Sequence, residues 1–179
     1  MPRKKENEIR VVNIRLVREP SFYGDEPVSS PGDALRVVAD ELKGYDREVF
    51  AVLNLKTNGR PINLNICSVG TLDASLVSPR EVFKSCILSN AAAFIAIHNH
   101  PSGTPAPSNE DMAITERLSD CARLMDIRML DHIIIAGETG ELFSFKEKGL
   151  IDNPRIMLST DYKTLDINSP MVAEQGKAR

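Results

Sequence analysis

The sequence predicts a layered α/β or α+β fold, a mixed sheet with helices interleaved. Short apolar or alternating segments of strand length recur between segments whose apolar residues fall at helical spacing. Serine-led starts open the helical segments, and Gly, Pro and Asn mark the turns. The chain has 179 residues, which suits one domain with a real core plus modest extensions.

Taken in order, residues 1–8 read as a charged end and Ile9–Val17 as a strand with alternating polarity. SFYGDEPV is a loop. Ser30-Pro31-Gly32-Asp33 has the form of a capping box with proline in the first turn. Leu35, Val38 and Leu42 continue it as a helix, with Gly44 as the stop. REVFAVLNL (47–55) reads as a strand. Asn58-Gly59 signals a hairpin. The return strand PINLNICSV puts Ile62, Leu64 and Ile66 on one face and Asn63 and Asn65 on the other. That second face is either wet or covers something polar.

Ser78-Pro79-Arg80-Glu81 repeats the capping-box device and starts a helix running to about Asn90. The apolar run 91–97 reads as a buried strand. The loop HNHPSGTPAPS follows, and Ser108 caps the next helix. Ile114, Leu118, Cys121 and Met125 mark its core face, with Asp111 and Thr115 beside it. MLDHIIIAG (129–137) is a further buried strand. GETG turns the chain into the short strand ELFSF, and KEKGLI closes the domain near Ile151. The expected organisation is 1–29 as an N-terminal charged end, strand and loop, 30–151 as the domain, and 152–179 as a polar tail.

Composition narrows the function. Lys+Arg is 22 against Asp+Glu 25, a net charge of −3, and duplex-DNA binders usually carry a basic surplus. No apolar run reaches membrane-spanning length, so no membrane role is expected. The first residues lack the apolar segment of a secretory signal. Cys67, Cys86 and Cys121 are scattered among apolar neighbours, as buried thiols in a reducing cytoplasm would be.

The chemistry concentrates in His98–Asp111. On a strand, residues i and i+2 share a face, so His98 and His100 project together while Asn99 turns away. Asp111 falls in the first turn of the helix that follows. Two imidazoles and a carboxylate, with the fourth position left for water, make an open tetrahedral zinc site. The pattern H-x-H-P-x6-S-x2-D is expected by chance at roughly one start position in ten million from average residue usage.

That pattern, with a glutamate far upstream, resembles the JAMM signature of the JAB/MPN metalloprotease superfamily. The wording VGTLDASLVSPREVFKSCI, NAAAFIAIHNHPSGTPAPSNEDMAITERL, LDHIII and SFKEKGLI resembles its RadC-like branch over about residues 30–151. The resemblance implies a three-layer JAB/MPN fold, a mixed sheet flanked by helices and similar in outline to cytidine deaminase. It also implies zinc on His98, His100 and Asp111, Ser108 as a donor to the tetrahedral intermediate, and an upstream glutamate as general base. Glu48 is the best match for that base; Glu41 and Glu81 are weaker ones, explained by a helix edge and by capping. His132 lies outside the metal motif and is expected in a supporting shell. His98-Asn99-His100 spells HNH, but HNH nucleases carry those residues far apart. No P-C-x-x-C pair is present to support a deaminase.

Three functions follow as expectations. The first is a zinc metallopeptidase or isopeptidase acting on a peptide or protein substrate. The second is a DNA-repair accessory, which the family's traditional naming suggests; the acidic balance and the short segment of about 29 residues before the first helix argue against it. The third is a metal-free interaction module, as some MPN domains are, which the complete ligand set argues against. The sequence does not fix the substrate or the oligomeric state.

Overall fold

Burial of apolar residues on both faces of three central strands forces a layer of helix onto each side. The structure, a computed structural model, describes residues 26–42, 45–70, 77–101, 103–137 and 139–151. The expected strand at Ile9–Val17, the stop at Gly44 and the tail 152–179 lie outside these residues.

The elements are α1 (Pro31–Leu42), β1 (Val49–Leu55), β2 (Pro61–Val69), α2 (Pro79–Leu88), β3 (Ala93–His100), α3 (Asn109–Met125), β4 (Arg128–Ala136) and β5 (Leu142–Ser144). The sheet order is β2-β1-β3-β4-β5. β3 and β4 are parallel and the other neighbours antiparallel. Parallel neighbours need a crossover, and α3 supplies it. Every residue of β1 and of β3 is buried, as strands covered on both faces require.

Alternation divides the core in two. Ala34, Val38 and Leu42 of α1 pack on Ala51, Leu53, Ile95, Ile97 and Ile133. Val82, Phe83 and Cys86 of α2 and Met112, Leu118 and Ala122 of α3 pack on Phe50, Val52, Phe94, Ala96 and Ile134. The result is the expected three-layer α+β fold, with α1 on one face of a mixed five-stranded sheet and α2 and α3 on the other.

The helix starts behave differently from one another. At α1 the Ser30 hydroxyl accepts from Asp33 N–H (3.2 Å) and the Asp33 carboxylate accepts from Ser30 N–H (3.0 Å). At α2 the expected capping box does not form: the Ser78 side chain makes no capping bond. Its carbonyl accepts from Glu81 N–H (3.0 Å), and the Glu81 carboxylate turns outward, 3.7 Å from Lys84.

Two facial assignments also shift. Leu64 and Ile66 pack on the α1 side, but Ile62 packs on the α2 side. The β1–β2 register slips between Asn54 and Leu55, leaving Ile62 without a partner and turning it over. The face of Asn63 covers something polar: Asn54 donates to Asn63 (2.8 Å) and Ser85 (3.2 Å), and Asn63 donates to Ser89 (2.9 Å). On α3 the buried line runs through Asp111, Met112, Thr115, Leu118, Ser119 and Ala122, with Ile114 and Cys121 at its margin, while Met125 is 49% exposed. The helix is rolled from its apolar stripe because Asp111 and Thr115 have polar partners on the sheet.

Leu53 is fully buried on the α1 face, away from the polar end of β3. Leu53→Ala is expected to lower unfolding free energy by about 2–5 kcal/mol through lost burial and a residual cavity. Urea denaturation checks this, and a loss below about 1 kcal/mol contradicts the packing described.

Candidate metal centre

β3 carries His98 and His100 side by side on the α2/α3 face, with ring centroids 4.5 Å apart. The strand, expected over the apolar run 91–97 with the histidines at its end, runs from Ala93 through both histidines to His100. Pro101 ends it, and His100 O accepts from Gly103 N–H (3.1 Å) and Gly137 N–H (2.9 Å). A Cβ at Gly137 would stand 3.2 Å from His100 O and 3.3 Å from Pro101 O, so the loop closes over a residue with no side chain.

Asp111 arrives from the first turn of α3. Its carboxylate takes part in a capping box: Oδ2 accepts from Ser108 N–H (2.7 Å) and from the Ser108 hydroxyl (2.6 Å), and Ser108 Oγ accepts from Asp111 N–H (3.1 Å). Oδ1 stands 3.3 Å from His98 Nε2 and Oδ2 stands 3.5 Å from His100 Nε2. His98, His100 and Asp111 are all buried and could together hold a metal ion.

Proton accounting shows what the group fits. Asp111 O can only accept, so the Thr115 hydroxyl donates to it (2.5 Å). Thr115 Oγ1 then accepts from His132 Nδ1–H (2.6 Å). His132 Nε2 is left as an acceptor, so His98 Nδ1–H donates to it (3.2 Å). His98 Nε2 is therefore a bare lone pair facing Asp111 Oδ1. His100 Nδ1–H donates to the Thr104 carbonyl (2.8 Å), which aims its Nε2 at the same point. Lone pairs facing a carboxylate at 3.3 Å repel unless a cation lies between them. Two ligands on a tetrahedral zinc at about 2.0–2.1 Å stand about 3.3–3.4 Å apart. The donor set fits such an ion.

The electrostatics agree for His98, whereas His100 carries a proton toward Asp111 that an ion would replace. Burial pushes the His98 imidazole down to about 4, against the pull of Asp111, and His132 down to about 3. Burial also lowers His100, but its bonds to Asp111 and Thr104 and the charges of Asp111 and Glu48 outweigh this and raise it. Burial would raise the Asp111 carboxyl, yet the bond from His100, the His98 charge and the Ser108 bonds hold it well below the usual range. Phe50 lies over the ring of His98 (5.9 Å) and edge-on to His132 (5.5 Å), and Phe145 stacks on the other face of His132 (4.7 Å).

The antiparallel register pairs Phe50 with His98 and so carries Glu48, two residues earlier, to the level of His100. Glu48 is half-buried, and its charge acts on His100. Glu41 is exposed on α1, across the sheet, and Glu81 is exposed on α2. Thr115 was not singled out for the site by sequence; only its i+4 spacing from Asp111 hinted at it.

The unfolded chain holds its histidines near 6.5, so His98 and His132 bind more protons unfolded than folded below that pH. Their contribution is complete above about 6.5 and is lost as pH falls toward 4. Denaturation of chelator-treated protein should show the midpoint falling across this window; a flat profile contradicts neutral buried imidazoles. Dialysis against zinc followed by elemental analysis should give about one ion per chain and, in Asp111→Ala, well under half of that, since removing one of three protein ligands weakens such sites at least 10-fold.

The RadC-like JAB domain family matches residues 28–150. A UPF0758 protein of Geobacillus sp. (strain WCH70) is 39% identical over 137 residues, 76% of this chain and 60% of its own length. UPF0758 proteins of Desulfitobacterium hafniense (strain DSM 10664 / DCB-2) and Clostridium acetobutylicum are each 44% identical over 124 residues, 69% of this chain and 54% and 53% of their own. The chain thus spans a little over half the length of the relatives it matches. With the three-layer fold and the His-His-Asp group in place, the chain belongs to the RadC-like JAB domain family.

Proposed function

We propose that this chain is a zinc-dependent hydrolase of JAMM type that cleaves a peptide or isopeptide bond. The observation that carries the reading is the convergence of His98 Nε2 and His100 Nε2 on the Asp111 carboxylate at 3.3 and 3.5 Å, with the Glu48 charge acting on His100. Imidazole and carboxylate donors suit zinc. When bound, zinc supplies a polarising centre for a carbonyl and brings the pKa of a coordinated water near 7.

The chain's own groups have separable roles. His98, His100 and Asp111 Oδ1 hold the ion. Thr115 and His132 keep the proton on His98 Nδ1 and so present Nε2 as the donor. The Glu48 carboxylate takes a proton during attack on the carbonyl and gives it to the leaving amine. Ser108 holds Asp111 by Oδ2 and is the hydroxyl available to a developing oxyanion. Phe50 keeps bulk water from the inner face. The three thiols are free, and burial pushes those of Cys67 and Cys86 up to about 11 and about 12. Unpaired, protonated thiols support a place in the reducing cytoplasm. Among the described residues no helix is long and apolar enough to cross a membrane.

Glu48→Gln separates binding from chemistry. The zinc content should stay at that of the wild type, while cleavage of a peptide and isopeptide panel drops at least about 100-fold. Wild-type protein with one zinc per chain that cleaves no member of a broad panel overturns the reading, as does a Glu48→Gln variant with full activity.

A further inference from the structure

Asn99, between the two histidines, is 5% exposed and points to the opposite face of β3. Its Oδ1 accepts from Val49 N–H (2.7 Å) and its Nδ2 donates to the Arg47 carbonyl (3.1 Å). Those two backbone groups flank Glu48 on either side. The Glu48 carbonyl is held as well, accepting from Gly70 N–H (2.8 Å). The regular β1–β3 pairing stops at Phe50 and His98. Beyond that point the chain on the β1 side leaves the ladder, and one side-chain carboxamide replaces the missing strand contact.

We propose that Asn99 is a positioning residue that fixes Glu48 against the metal centre. The inference rests on the reading of Glu48 as general base. The residue that separates the two histidine ligands carries the clamp, so ligands and base are placed by three consecutive positions of one strand. A carboxamide is needed for this: it accepts and donates at once, across the one residue between the two peptide units. Serine, neutral and shorter, can serve at most one of the two groups. Alanine loses both. A loose Glu48 stays in the protein but spends less time at the site.

The test uses the full chain loaded with cobalt(II), whose visible absorption follows ionisation at the metal as pH is raised. Glu48→Gln removes a negative charge beside the ionising group and is expected to lower the midpoint by about one pH unit. Asn99→Ala should lower it in the same direction by about half as much, with one metal per chain retained, and the neutral Asn99→Ser should fall between wild type and Asn99→Ala. The double variant should match Glu48→Gln alone, because Asn99 acts only through Glu48. A midpoint that Glu48→Gln shifts but Asn99→Ala and Asn99→Ser leave at the wild-type value overturns the inference, as do additive shifts in the double variant. If Glu48→Gln itself moves nothing, the reading of Glu48 fails first and this inference falls with it. Should Asn99→Ala not fold, Asn99→Ser with Glu48→Gln completes the same comparison.

Discussion

Two imidazoles on an interior strand have no water to turn to, and much of the domain is arranged around supplying them with partners. β3 is buried along its whole length, so each ring nitrogen of His98 and His100 must meet a protein group or an ion. One nitrogen of each ring meets a protein acceptor. The Thr104 carbonyl sets the shape of the loop after Pro101, and His132 on the parallel neighbour β4 sets the proton on His98. The remaining nitrogens converge on Asp111. α3 is rolled from its apolar stripe to deliver Asp111 and Thr115 together. A polar requirement on one strand thus decides the orientation of the helix that crosses it.

Asp111 has two duties. One oxygen is committed to the start of α3 through Ser108, and the other faces His98. The helix N-terminus favours the charged carboxylate, and the capping bonds keep it from rotating. The candidate metal ligand is therefore aimed by the helix cap. Ser108 belongs to folding and to the site at once, and a change there acts on both.

The sequence made some of this legible and hid the rest for physical reasons. Period-two spacing was enough to put His98 and His100 on one face, and the Ser108-x-x-Asp111 spacing was enough to start a helix there. The layered fold followed from strand and helix periods taken in order. The place of Glu48 in the site came from the family resemblance, since nothing local links residues 48 and 98. Thr115 and the clamp of Asn99 depend on which strands are neighbours and in what register, which no local pattern carries. Ile62 was put on the wrong face because a slip of one residue reverses sidedness. Ser78 matched a capping box in letters only, since its carbonyl took the bond that its hydroxyl was expected to take.

The two register slips in the β1–β2 pair bear on how the protein behaves in a crowded solution. Among the described residues β2 is the long edge of the sheet, nine residues against three for β5 at the other edge. A flat edge of that length offers a row of unpaired backbone groups to any passing strand. The slips beside Ile62 and Cys67 sharpen the local twist and break the evenness of that row. Strand-on-strand aggregation needs several consecutive matched bonds, and an edge interrupted near both ends offers few. Among the described residues, the irregularity that confounds face assignment thus also limits what this edge offers to another strand.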